Sequence, residues 1–197
     1  MHRLKLFAII AILVTGCNQN RESHPVVCIK TELGDIEAEI FLNKAPITAK
    51  NFMSYVHSGK YNRHAYFYRV VRLNNQPAQS EKIEIIQGGF YHDSLVELYG
   101  FPPIAHETTK ETGIKHEDGV LSMARYEPGT ASSEFFICIG KQPSLDYGGK
   151  RNPDLKGFSA FGKVISGMDI VLRIQQQQDS SQILLNPIRI LEISKKQ

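Results

Sequence analysis

The chain has 197 residues, enough for one sizeable domain with a proper core, and its 42% hydrophobic and 22% charged residues are ordinary for a globular protein. Its formal charge is +3 with no dense Lys/Arg stripe, which argues against a nucleic-acid partner.

The N-terminus reads separately from the rest. In MHRLKLFAIIAILVTGC, Arg3 and Lys5 precede an unbroken apolar run from Leu6 to Val14, too short to span a bilayer but suited to a secretory signal. The run ends in Leu13-Val14-Thr15-Gly16-Cys17, which resembles the lipobox of bacterial lipoproteins. That resemblance implies cleavage after residue 16 and lipid on Cys17; the alternative is a plain signal peptide or anchor. Removing residues 1–16 takes away Arg3 and Lys5 and no acid, leaving a charge of +1, so acyl chains rather than electrostatics would hold the protein on a membrane. Asn18 follows the cysteine where an Asp would resemble an inner-membrane retention signal, so an outer-membrane site in a bacterial cell envelope is expected. Residues 17–25 read as the lipidated end and a short polar tether, and 26–194 as one domain.

Along that domain, VVCIKTELGDIEAEIFL gives two alternating runs around Gly34-Asp35, a hairpin pattern. Residues 46–57, PITAKNFMSYVH, have helical spacing, with Pro46 in the first turn and Gly59 just past the end. Residues 67–71, FYRVV, and 83–87, IEIIQ, read as strands. Strict alternation would put Arg69 on one face with Phe67 and Val71. By default such an arginine sits on an edge or solvated face, its stem covering apolar surface. GVLSMAR, EFFICIG, FSAFGKV and NPIRILEIS are strand-like, and residues 168–177 are helical. Many short strands with two helices predict a mainly β fold, a closed antiparallel barrel with capping helices. Apart from Cys17, the cysteines are Cys28 and Cys138, both in strand-like runs. An oxidising compartment would permit a bridge, but two buried free thiols are expected.

Several chemistries lack their residues. HETTK at 106–110 has Lys110 where a zincin needs a second histidine, and the histidines have no metal-ligand spacing. Gly149-Lys150 is followed by Arg151, so there is no phosphate loop, and neither a G-x-S-x-G elbow nor a Cys-x-x-Cys occurs. No metal or cofactor is expected, and a site would have to work through hydrogen bonds and apolar shape.

FYRVV, IIQGG, GVLSMAR, SSEFFICIG, LDYGG and FSAFGKVISGMDIV follow one another over residues 67–171. In that order they resemble the cyclophilin-type peptidyl-prolyl cis/trans isomerases, and the likeness extends over about residues 26–194. The resemblance implies an eight-stranded antiparallel barrel capped by two helices, with Arg69 as the catalytic arginine, Gln87 beside it and Phe136 as the floor of the proline pocket. It places Ile85 where the family commonly has methionine, Leu145 on the pocket wall, and Ala124 and Arg125 on the strand that pairs with bound peptide. Glu134 replaces a glutamine, Phe158 a pocket histidine, Tyr68 a histidine, Glu84 a pocket phenylalanine and Ser144 the tryptophan of many eukaryotic members. Segments 72–82 and 147–157 are longer than in compact members. The implied function is rotation of X–Pro bonds in exported or envelope proteins by a monomer, without cofactor or covalent intermediate. The alternative is a membrane-tethered module that binds proline peptides as a holdase with little turnover.

Overall fold

The computed structural model describes residues 24–196. The signal, the Cys17 lipidation and most of the tether lie outside the described residues. The elements run β1 (Val26–Thr31), β2 (Gly34–Ile40), α1 (Pro46–His57), α2 (Tyr61–His64), β3 (Tyr66–Val71), β4 (Ile85–Gly89), α3 (Asp93–Tyr99), α4 (Thr109–Thr112), β5 (Val120–Met123), β6 (Phe135–Cys138), β7 (Ser159–Ser166), α5 (Met168–Gln175), β8 (Asp179–Ser180) and β9 (Ile183–Lys195). Eight strands pair in the order β1-β2-β7-β5-β6-β4-β3-β9, and β9 returns to β1, so the sheet closes on itself; β8 is a two-residue flange on β9. Every pairing is antiparallel. Closure leaves no open edge, which suits a sheet of such short strands.

The interior is aromatic. From α1, Phe52 lies 5.4 Å edge-on from Phe135 and 5.0 Å from Phe161, and Tyr55 and Tyr61 continue the cluster. α1 and α5 are the two long helices, and α2, α3 and α4 are short additions. Residues Thr48, Ala49, Asn51, Phe52, Met53, Tyr55 and Val56 of α1 are buried. Gly59, at φ 65, receives the chain as it leaves that helix.

Four sequence expectations shift. The first hairpin turns at Glu32-Leu33, and Gly34 opens β2 at φ 135, where a Cβ would meet Ile170 Cδ1 at 2.7 Å. The β4 ladder starts at Ile85 and carries on through both glycines. α5 stops at Gln175 rather than 177; Arg72 Nη1 donates to the carbonyls of Gln175 and Gln177, satisfying the orphan acceptors of that end. Both thiols of Cys28 and Cys138 are free, but only Cys138 is fully buried.

β6 explains why EFFICIG reads as one apolar run. Phe135 and Ile137 enter the barrel core, while Phe136 and Cys138 join a second apolar cluster with Val71, Ile83, Ile85 and Leu145. A strand buried on both faces loses its alternation. That second cluster, outside the barrel wall, is the floor of the site.

Candidate active site

The face of Arg69 is set by a bulge. Phe67 pairs with Gly88 and Arg69 with Gln87, so two steps on β3 oppose one on β4. Tyr68 is the extra residue. Arg69 therefore shares its face with Val71 but not with Phe67, which lies fully buried in the barrel core. Strict alternation fails here because the bulge re-aims the chain between positions 67 and 69. Without it the guanidinium would follow Phe67 into the barrel, where an unpaired charge is very costly.

Arg69 Nη1 donates to Gln87 Oε1 at 2.9 Å, while Nε and Nη2 donate to Gln182 Oε1 at 3.1 and 2.5 Å. Behind Gln87 the bonds run one way. Gln87 Nε2 donates to Tyr68 Oη at 2.7 Å, and Tyr68 Oη donates to Glu134 Oε2 at 2.7 Å. Glu134 Oε1 accepts from the Phe90 N–H at 2.7 Å and from Ser133 Oγ at 3.0 Å. An acceptor at the far end thus fixes the tyrosine proton, the proton fixes the Gln87 amide, and the amide turns its oxygen to Arg69. Burial pushes the Glu134 carboxyl up against those three donors. It also pushes the Tyr68 phenol up, with Glu134 adding to the effect. Burial lowers the Arg69 guanidinium, which keeps its proton all the same.

The glycines after Gln87 serve packing. A Cβ on Gly88 would lie 2.8 Å from Phe67 Cδ1, and one on Gly89 would overlap the Glu134 carboxylate. They admit the core ring and the end of the polar relay, whereas the sequence alone suggests only close approach of the chain to the site.

A cavity of about 700 Å³ opens beside this relay. Phe136, Leu145, Ile85, Ile83, Ala124 and Phe158 give its apolar end. Phe158 stands edge-on to Phe136 at 5.4 Å, and His116 lies behind Phe136, stacked at 6.0 Å. The structure brings all nine sequence-assigned cavity residues to this wall: Arg69, Gln87, Phe136, Ile85, Ala124, Arg125, Glu134, Leu145 and Phe158.

Their parts are unequal. Both Glu134 oxygens are spent inside the relay. Arg125, with a side chain 1% exposed, makes a two-point contact with Asp154 at 2.8 and 3.0 Å, donates to the Gly157 carbonyl, and lies 5.2 Å over the Phe158 ring. It fastens segment 147–157 to the cavity wall. The Ala124 N–H is already bonded to the Glu134 carbonyl at 2.8 Å. Glu84 costs the pocket nothing: its carbonyl accepts from Ile139 N, and Ile83 supplies the apolar side chain, because the long 72–82 segment delays the start of β4. Ser144 is not on the cavity wall; its hydroxyl is buried without a hydrogen-bond partner.

Sequence reasoning missed Gln182 and His116. Gln182 lies 113 positions from Arg69 in a tight β8–β9 turn, with Ser181 and Gln182 both at positive φ. Its residue type gives no cue, although the SSQ turn flanked by strands could have marked the hairpin. His116 Nδ1 bonds Asp146 Oδ1 at 2.8 Å, and its Nε2 lies 3.0 Å from Ser122 Oγ.

Together the closed barrel and its outer site define a protein with fixed hydrogen-bond donors beside an apolar floor. The family model of the "Cyclophilin type peptidyl-prolyl cis-trans isomerase/CLD" matches residues 26–195, and the chain belongs to that family. It is 34% identical over 195 residues, 95% of each chain, to a peptidyl-prolyl cis-trans isomerase of Acinetobacter baylyi. It is 32% identical to peptidyl-prolyl cis-trans isomerase B of Escherichia coli, over 76% of this chain and 84% of that one. The fold is similar to a Cryptosporidium parvum cyclophilin (TM-score 0.68, 25% identity, 89% of this chain and 99% of that one). A second structure of that protein, solved in the presence of the dipeptide Ala-Pro, gives a TM-score of 0.66 at 26% identity, over 87% of this chain and 99% of that one. The activity is peptidyl-prolyl cis-trans isomerisation.

Proposed function

We propose that the protein turns X–Pro bonds of exported or envelope polypeptides, that Arg69 is its catalytic group, and that lipid on Cys17 tethers it as a monomer to a bacterial, preferably outer, membrane. One observation carries the catalytic assignment. Arg69 is held by two amide oxygens at the rim of the Phe136–Leu145 pocket, and no carboxylate bonds to it among the described residues.

The chemistry follows from the amide. Rotation breaks its planarity and costs about 20 kcal/mol. The twisted form binds better than the planar forms if a donor meets the lone pair that returns to the proline nitrogen. A guanidinium is always charged and rich in donors, and amide acceptors orient it without neutralising it. A change from tens of seconds to milliseconds needs roughly 10⁴-fold, or about 5.4 kcal/mol. One charged hydrogen bond contributes about 1.5–3 kcal/mol. The apolar floor of Phe136, Leu145 and Ile85 supplies the remainder by fixing the proline ring while its amide turns, and Phe158 and Ala124 border the same space.

The full-length chain in mild detergent should accelerate isomerisation of a short X–Pro peptide, and Arg69→Ala should lose about ten- to a hundredfold of it while circular dichroism stays unchanged. A folded Arg69→Ala at full rate would remove Arg69 from the mechanism, and peptide binding without any turnover would favour the holdase reading. The tether rests on the Leu13–Cys17 motif at the end of the apolar run. Cys17→Ser should accumulate as unprocessed precursor in cell fractions; normal cleavage and release of that variant would overturn lipidation.

A further inference from the structure

Segment 147–157 places a third guanidinium at the cavity, after Arg69 and the Asp154-paired Arg125. Arg151 lines the same wall as Arg69 and Ile83. Its Nη1 donates to Gln76 Oε1 at 3.0 Å and to the Glu81 carbonyl at 2.6 Å, both in segment 72–82. Its backbone N–H donates to the Ser144 carbonyl at 3.1 Å. The two long segments thus meet at Arg151 beside the apolar pocket, and Gln76 in turn accepts from the Ile83 N–H at 3.2 Å.

The oxygens that hold Arg151 belong to a side-chain amide and a backbone carbonyl, and those that hold Arg69 to two side-chain amides, so both cations are positioned but not neutralised. No carboxylate pairs with either among the described residues. Burial lowers the Arg151 guanidinium, and the nearby Arg69 lowers it further. The other charges on the wall do not cancel them. Arg125 is matched by Asp154, Glu134 is occupied within the relay, and Asp93, at the start of α3, acts on Glu134 and not on Arg69 or Arg151.

We propose that the cavity selects proline segments carrying a glutamate or aspartate next to the proline, and that Arg151 is the specificity-determining residue that reads this carboxylate; the proposal rests on the isomerase reading of the same site. A carboxylate entering beside the proline relieves the repulsion between the two guanidinium groups and offers Arg151 a charge-assisted bond in a half-dry setting.

The test uses the full-length chain in mild detergent and two sets of blocked peptides. In one set only the residue before proline changes among Glu, Gln and Lys; in the other only the residue after it. In one of the two sets kcat/KM should be about tenfold higher for Glu than for Gln, equal to about 1.4 kcal/mol, and lowest for Lys. Arg151→Gln should bring the Glu/Gln ratio to about one, Arg151→Lys should restore it, and Arg151→Glu should favour the Lys peptide. Rescue by lysine separates charge reading from a purely structural hold on the two segments. Turnover with a flat ratio in the unmodified protein, or a ratio that survives Arg151→Gln, would overturn the proposal and leave the isomerase activity standing. Absence of turnover on all six peptides would strike the isomerase reading itself; the ratio of dissociation constants for the same peptides, measured by NMR titration, would then decide the role of Arg151.

Discussion

The guanidinium of Arg69 is aimed from two sides, and only Gln87 was legible from its neighbours in the chain. Gln182 takes two of the three bonds, through Nε and Nη2. Gln182 is itself fixed: its N–H donates to Asp179 Oδ2 at 2.9 Å, and its Nε2 donates to the Asn75 carbonyl at 3.2 Å. Removing a neutral acceptor of this kind costs about 0.5–1.5 kcal/mol. Gln182→Ala should therefore lower kcat about two- to tenfold, with a smaller change in KM, because the donor is misaimed while the apolar pocket stays intact. Gln182→Glu should do worse than alanine, since a carboxylate there claims the charge that the turning amide needs. Steady-state rates on one proline peptide check both; an alanine variant as slow as Arg69→Ala, or a glutamate variant as fast as the unmodified protein, would refute this account of Gln182. The same logic shows why Tyr68 and Glu134 suit each other as replacements: the phenol needs an acceptor, and the carboxylate provides it at 2.7 Å.

At the scale of elements, the site depends on irregularities in otherwise regular strands. The β3 bulge separates the face of Phe67 from that of Arg69, and Gly88-Gly89 lets β4 run close beneath Phe67 and Glu134. Opposite these strands, segment 147–157 is held at one end by Arg125, to Asp154 and the Gly157 carbonyl, and further back by Arg151, to Gln76 and the Glu81 carbonyl. The stem and guanidinium of Arg125 also cover Phe158. Arg125→Ala should free the segment. Limited trypsin digestion should then cut faster after Lys150, Arg151 or Lys156, and KM for a proline peptide should rise more than kcat falls. Unaltered cleavage would show that the segment is held without Arg125, by the Arg151 bonds to segment 72–82 and by backbone bonds such as Gly148 N to the Leu155 carbonyl at 2.7 Å.

On the scale of the whole molecule, one buried histidine ties stability to pH. Burial pushes the His116 imidazole below its ordinary range, against the opposing pull of Asp146. The unfolded chain therefore takes up this proton before the folded one does. The contribution is fully present above the unfolded value of about 6.5 and is lost as pH falls from there toward the folded value, by at most about 1.4 kcal/mol per pH unit for one proton. Urea midpoints should drop between pH 7.5 and 5.5, and His116→Gln should flatten that slope; equal slopes would exclude His116 as the cause. The amino-acid sequence by itself determined the strand-rich barrel, the residue range of α1 and the nearby pair Arg69 and Gln87, since period, turn chemistry and motif order are local properties. It left the facing of Arg69 wrong by half, because a bulge is visible only once β3 has a partner to count against. It left Gln182 unread, because a glutamine 113 positions away acquires meaning only when the barrel closes β3 against β9. It read Ile83 only as the start of a strand and gave Arg151 no role, since a long insertion has no periodicity of its own. Their positions follow from packing on one another, and that is decided only by the tertiary structure.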